Sequence, residues 1–160
     1  MPANSKPSKA DDIALLRRAF DVARRAQTRG NHPFAALLVS AEGDVLIEME
    51  NGFIPDRDMT GHAERLLATQ ACKTCDPQTL ARATMYCSAE PCAMCAGAIS
   101  FARIRRLYYG AADEKGGAVV SGVRFFASPT CHHAPEVYSG FGEVKSSEML
   151  RRFFRDRRQA

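Results

Sequence analysis

Amphipathic stretches with helical spacing alternate along this chain with apolar runs too short to be helices, and that alternation restricts its fold more than any other property. Residues 11–29 set Ile13, Leu16, Phe20 and Ala23 three and four apart, place Arg17, Arg18, Arg24 and Arg25 mostly elsewhere, and end at Gly30-Asn31. Residues 34–40 (FAALLVS) and 45–50, joined by the turn Ala41-Glu42-Gly43-Asp44, predict a β-hairpin. A loop over 51–61 opens on Asn-Gly, contains Pro55 and closes on Gly61. A helix follows over 62–73, with Leu66, Leu67 and Ala71 available for one buried face. Beyond it the pattern predicts a connection over 76–81 broken at Asp76-Pro77, a strand over 83–87, a loop over 88–91, a helix over 92–102 and a strand over 104–109. A Gly-rich stretch (110–122), a short strand (123–126), a loop through PTCHHAP and a final helix (145–157) complete the chain. The order α-β-β-α-β-α-β-(β)-α implies an α/β architecture whose first two strands pair antiparallel and whose later ones pair parallel. Residues 1–10 are expected as a flexible arm ahead of a single domain over 11–160.

With 160 residues, 46% of them hydrophobic and 25% charged, the chain has the composition of a globular domain and not of a disordered one. No run approaches the ~18 consecutive apolar residues of a membrane span, and the first ten residues carry no apolar export core. A cytoplasmic location without membrane association is therefore expected, where six cysteines favour metal or catalytic use over disulfides. The formal net charge of +4 is local: residues 151–158 (RRFFRDRR) hold five Arg and one Asp, and the rest of the chain balances. Such a tail is either a solvated helix end, its cations complementing the helix dipole, or a phosphate-binding patch.

Two segments carry chemistry: Gly61-His62-Ala63-Glu64 and Glu90-Pro91-Cys92-Ala93-Met94-Cys95. Each opens a predicted helix directly after a loop. Cys92 and Cys95, three apart, share a helical face. If the two helix N-termini approach, His62 and the two thiolates form a three-ligand N/S set that suits Zn²⁺ and leaves its fourth tetrahedral position open, the mark of a catalytic site. Glu64, two residues beyond His62, lies outside that set and is placed to move protons between water and a substrate. H-x-E with P-C-x-x-C is a recognised signature of zinc deaminases.

Other cysteines offer a rival. Cys72-Lys73-Thr74-Cys75 precedes Cys92 by a spacing compatible with a closed, structural Cys₄ zinc site. That reading leaves His62-Ala63-Glu64 without a role and places Cys72 on a helix, so Cys72, Cys75 and Cys87 are expected as small buried residues. Cys131-His132-His133 lacks a second ligand pair and reads as a loop closing over the core. Phe125-Phe126 and Phe153-Phe154 read as core or lid anchors.

At these residues the chain resembles the cytidine deaminase superfamily of zinc-dependent deaminases, over about residues 11–158. The stretch YCSAEPCAMCAGAISFARIRRLYYGAADEKGGAV and the tail PEVYSG…LRRFFRDRR resemble bacterial tRNA adenosine deaminases; NHPFAALLV…ENGF…TGHAE is more similar to small guanine or nucleoside deaminases. The resemblance implies a three-layer α/β/α sandwich around a central mixed five-stranded sheet, a homodimer or higher assembly, His62, Cys92 and Cys95 as zinc ligands, and Glu64 as proton shuttle. It also implies substrate contacts from Asn51, from the backbone of Ala63, and from Phe34 in the pocket wall. Three departures from the tRNA enzymes bear on the substrate: Met59-Thr60-Gly61 replaces Pro-Thr-Ala, Ala35 replaces a Gly, and Phe34 replaces a smaller Val or Ile. A wall narrowed by Phe34 favours a free purine base or nucleoside, guanine- or adenine-type. The Arg-rich tail favours the alternative, a tRNA anticodon loop. A cytosine-type ring and a non-catalytic zinc module rank below both.

Overall fold

The structure, a computed structural model, describes residues 9–139 and, beyond them, Glu148, Arg151, Arg152 and Arg155. Helix α1 (Lys9–Thr28) is followed by β1 (Ala35–Val39), β2 (Val45–Glu50), α2 (Ala63–Thr74), α3 (Pro77–Leu80), β3 (Thr84–Ala89), α4 (Ala93–Ala102), β4 (Arg106–Ala111) and β5 (Glu136–Tyr138). The five strands form one sheet in the order β2-β1-β3-β4-β5. β1 pairs antiparallel with both β2 and β3, while the β3–β4 and β4–β5 pairs are parallel. The mixed five-stranded sheet expected from the sequence is the one observed.

Side-chain alternation divides the core into two halves. Ala35, Leu37, Val39, Tyr86 and Tyr108 pack with Leu16, Ala19, Val22 and Ala23 of α1. Ala36, Leu38, Met85, Cys87, Leu107 and Tyr109 point the other way, against α2 and α4. β1 and β3 are therefore buried on both faces, which is why they read as continuous apolar runs and not as alternating ones. On the α1 face Tyr86, Tyr108 and Tyr138 stack at centroid distances of 5.0 and 4.7 Å. The Tyr86 hydroxyl donates to the buried Asp12 at 2.6 Å, joining α1 to the sheet.

Several expected elements differ. The connection at 76–81 contains the short helix α3, because Asp76 accepts from the Thr79 N–H at 2.7 Å and Pro77 occupies the first turn, where a missing N–H starts a helix instead of breaking it. Residues 123–126 are not a strand: Arg124 is left-handed (φ 47°) and Phe125–Ala127 form a 3₁₀ turn. The fifth strand is β5, whose Glu136 pairs with Arg106 of β4 and takes a salt bridge from its side chain at 3.0 Å. α1 begins at Lys9, inside the stretch expected as an arm. Of the helix expected over 145–157, Glu148, Arg151, Arg152 and Arg155 are helical; its remainder, Phe153 and Phe154 included, lies outside the described residues. Among the described residues no helix is long and apolar enough to cross a membrane.

Candidate metal centre

α2 and α4 present their N-termini side by side, and each begins with a metal-capable residue. His62 is the N-cap of α2 and Cys92 the N-cap of α4; both have extended backbone, and neither side chain caps its helix. Cys95 lies in the first turn of α4 and is buried. The loop entering α2 is locked from within. The Gly52 N–H donates to the Gly61 carbonyl at 2.8 Å, the Asp58 carboxylate accepts from the Thr60 N–H and hydroxyl, and Arg65 reaches both Thr60 O and Asp58. On the other side, the Glu90 N–H donates to Ala111 O at 2.8 Å and carries the parallel β3–β4 pairing to the threshold of Pro91-Cys92.

His62 Nδ1 lies 3.5 Å from Cys92 Sγ and 3.6 Å from Cys95 Sγ, and the three ligating atoms are all within 4.8 Å of one another. Tetrahedral zinc at its usual bond lengths, ~2.3 Å to sulfur and ~2.0–2.1 Å to nitrogen, separates such N and S atoms by about 3.5 Å. The donor set and its spacing thus fit Zn²⁺. The hydrogen bond from Cys95, with further help from His62, holds the Cys92 thiol down at about 4. Cys95, the donor in that bond, is shifted upward in consequence, and burial adds to the shift. His62 is raised by its contact with Cys92.

Glu64 lies in the first turn of α2, buried, with Oε2 3.5 Å from Cys95 Sγ. Burial pushes its carboxyl up to about 7. Cys87 of β3 is buried beside it, and burial raises its thiol well above the ordinary range. The residues implied as substrate contacts cluster on the α2 side. Ala63 opens α2 and is buried. Asn51 is buried; its N–H donates to Phe34 O at 2.9 Å and its Oδ1 accepts from the Phe53 N–H at 3.1 Å. Phe34 is half-buried ahead of β1.

The rival cysteines are not brought in. Cys72 is exposed, contrary to its expected burial, because it falls on the outer face of α2. It is ten residues along that helix from His62, about 15 Å at 1.5 Å per residue. Cys75 is half-buried. Among the described residues, His62, Cys92 and Cys95 are the one group of three able to share an ion. Cys131 and His133 instead pin their loop to the end of α4: the His133 N–H donates to Ser100 Oγ at 3.1 Å, and its Nε2 lies 2.9 Å from Ile104 O. His132 packs against Phe101. Phe126 packs against the α2–α4 side of the core, as expected of an anchor. A residue the sequence did not single out is Glu90, whose buried carboxylate gathers donors from residues 113–121. The Gly116-Gly117 pair was the available signal for such a close approach.

Residues 9–111 match the family model for the cytidine and deoxycytidylate deaminase zinc-binding region. The chain is 54% identical over 149 residues to a tRNA-specific adenosine deaminase of Agrobacterium fabrum, covering 93% of this chain and 97% of that one. It is 50% identical, with a TM-score of 0.79, to a solved structure from work on A-to-I editing by tRNA:A34 deaminases, over 86% of this chain and 99% of that one. A guanine deaminase structure from Nitrosomonas europaea shares the fold, with a TM-score of 0.69 at 21% identity over 88% of this chain and 83% of that one.

Proposed function

Because the chain belongs to the zinc-binding cytidine and deoxycytidylate deaminase family, and is thus a zinc-dependent hydrolytic deaminase, we propose that its substrate is tRNA, with adenosine at the anticodon wobble position converted to inosine. The observation that carries this reading is the 54% identity to a tRNA-specific adenosine deaminase along nearly the full length of both chains. The preference for a free purine base rests on the size of Phe34, a single half-buried side chain. Likeness to a guanine deaminase at 21% identity supports the fold and not the substrate.

In this reading His62, Cys92 and Cys95 hold the zinc. When bound, the ion acts as a Lewis acid that brings the pKa of a coordinated water to about 7. Glu64 takes the proton of the attacking water on a carboxylate oxygen. It delivers that proton to the ring nitrogen beside the amino-bearing carbon as the water oxygen bonds to that carbon, then takes the remaining proton of the new hydroxyl and passes it to the amine, so that the C–N bond breaks, ammonia leaves and a carbonyl remains. Asn51, the Ala63 N–H and Phe34 orient the base, which must leave its stack to enter. The reading also takes the chain as a homodimer. α4 is apolar on its outer face as well, with Met94 and Phe101 exposed, and Val120 and Val123 add to the exposed apolar surface. Sedimentation should give a dimer for the unaltered protein and a monomer for Phe101→Glu. The substrate is tested by ammonia release from an anticodon stem-loop, free adenosine, guanine and cytosine. Turnover of the stem-loop is expected; turnover of a free base alone would overturn the tRNA assignment.

A further inference from the structure

Glu90 has no role in metal binding or proton transfer as described above, yet it is among the most heavily bonded side chains in the structure. Only 4% exposed, its carboxylate accepts five hydrogen bonds. Oε1 takes the Asp113 N–H at 3.1 Å and the Ser121 hydroxyl at 3.0 Å. Oε2 takes the N–H groups of Val119, Val120 and Ser121 at 3.0, 3.1 and 3.0 Å. These donors come from an irregular segment with no strand or helix ladder of its own, so the carboxylate satisfies backbone groups that a ladder would otherwise satisfy.

The segment is moulded to that carboxylate. A Cβ on Gly117 would stand 2.4 Å from Glu90 Cδ and 2.5 Å from Asp113 O, so only glycine permits the approach. The Ala118 N–H donates to Pro91 O at 2.9 Å, which lays the segment against the residue preceding Cys92. Val119 packs into the core cluster that contains Ala63, Leu67 and Ile99. Glu90 therefore joins two things: the chain entering α4 with its metal-capable cysteines, and an irregular wall next to them.

We propose that Glu90 is a positioning residue that fixes residues 113–121 as a wall of the substrate site beside Cys92, and so sets substrate binding without governing metal retention or the chemical step. A glutamine cannot replace it. Its amide has one acceptor oxygen, and whichever way it turns, its NH₂ faces at least one backbone N–H that now donates to the carboxylate: Asp113 on one side, or Val119, Val120 and Ser121 on the other. The inference rests on the deaminase family and not on tRNA as the substrate.

The test compares Glu90→Gln, Gly117→Ala and Ser121→Ala with the unaltered protein. Zinc content, kcat and KM are measured on whichever of the stem-loop or the free bases and nucleosides the unaltered protein turns over fastest, so that failure of the tRNA reading leaves this test intact. Hydrogen exchange is followed across residues 112–122. Glu90→Gln should keep its zinc, lose protection within residues 113–121 and not elsewhere, and raise KM roughly tenfold with kcat within about threefold. Gly117→Ala should reproduce that split by displacing the segment from the opposite side, and Ser121→Ala, which removes only the hydroxyl bond, should do so more weakly. Loss of zinc, a fall in kcat at constant KM, or lost protection with both constants unchanged would overturn the proposal. If Glu90→Gln does not fold, an unchanged KM in both of the other variants overturns it equally.

Discussion

Gly61 stands immediately before His62, where the resemblance to tRNA adenosine deaminases implies alanine. Gly61→Ala would introduce that residue, and the structure predicts that it will do harm. The backbone of Gly61 is not left-handed, so the substitution carries no φ strain; the question is one of space. A Cβ there would lie 3.0 Å from the carbonyl oxygens of both Asp58 and Gly52. Neither can move freely. Asp58 O accepts the Gly61 N–H at 3.0 Å, and the Gly52 N–H is bonded to Gly61 O at 2.8 Å, so Gly61 is clasped between the two ends of its own loop. Replacing glycine where the backbone suits alanine stabilises by about 0.4–1 kcal/mol through the unfolded chain. Overpacking costs about 1–3 kcal/mol. The contacts here are rigid backbone and not flexible side-chain ends, so the second effect should win, leaving a net loss of about 0.5–2 kcal/mol. At about 2–4 °C per kcal/mol for a chain of this length, Tm should fall by about 1–8 °C. His62 must shift with the loop by a few tenths of an ångström, and kcat/KM should fall by about 3–10-fold, since a 1 Å misplacement costs on the order of 10²-fold. Thermal melts and kinetics of the zinc-loaded protein test both figures. Gly43→Ala serves as a control: Gly43 is left-handed (φ +97°) with open space around it, so the variant should melt lower with unchanged kinetics. A Gly61→Ala protein that melts above the unaltered one with undiminished activity would refute the reasoning.

Glu64→Gln should retain zinc and melt near the unaltered protein while losing on the order of 10²-fold or more in kcat; near-normal turnover would remove Glu64 from the chemistry. Metal analysis should find about one zinc per chain in the unaltered protein and in Cys72→Ala, but little in Cys92→Ala; loss of zinc from Cys72→Ala as well would restore the Cys₄ site. If tRNA is the substrate, Gln at Arg151, Arg155 and Arg158 should weaken stem-loop binding and flatten its salt dependence by about 0.7 log units per log salt for each phosphate no longer neutralised, with turnover of a free nucleoside unaffected. An unchanged slope would make the tail a structural helix end.

The metal centre was open to sequence reasoning because its chemistry is encoded locally. A helix start can be read from a loop that stops at Gly61 or at Pro91, and Cys92 and Cys95 share a face by spacing alone. The central strands were equally readable, since β1 and β3 are buried on both faces and leave unbroken apolar runs. What escaped depends on contacts distant in sequence. β5 is three residues long and only partly buried, and it exists because Glu136 and Tyr138 find Arg106 and Tyr108 of β4. Phe125-Phe126 resembles a strand because aromatics favour strands, but a left-handed Arg124 and a bond from the Phe125 N–H to Ala118 O turn the chain there. Asp76-Pro77 misleads for another reason. Its sequence is informative, and the capping Asp with Pro in the first helical turn signals a start where Pro alone suggests a break.

The two helix N-termini at the metal centre show how this fold trades stability for chemistry. At an N-cap, Ser, Thr, Asp or Asn stabilises a helix by about 0.5–2 kcal/mol through a bond to the N2 or N3 N–H. The chain uses that device at α3, where Asp76 accepts from Thr79. At α2 and α4 it places His62 and Cys92 in the same positions, where no Ser, Thr, Asp or Asn oxygen caps the helix. Both caps are forgone at adjacent ends, and the freed side chains turn towards each other and towards Cys95. The first-turn N–H groups and aligned peptide dipoles at those ends favour the thiolate that a metal requires. The same absence of caps leaves α2 and α4 dependent on other supports: the Asp58–Thr60–Arg65 lock before one, and the Glu90 carboxylate with its five donors before the other. Each helix that offers a metal-capable residue is thus steadied from the loop side, by an ionised side chain outside the His62, Cys92 and Cys95 group.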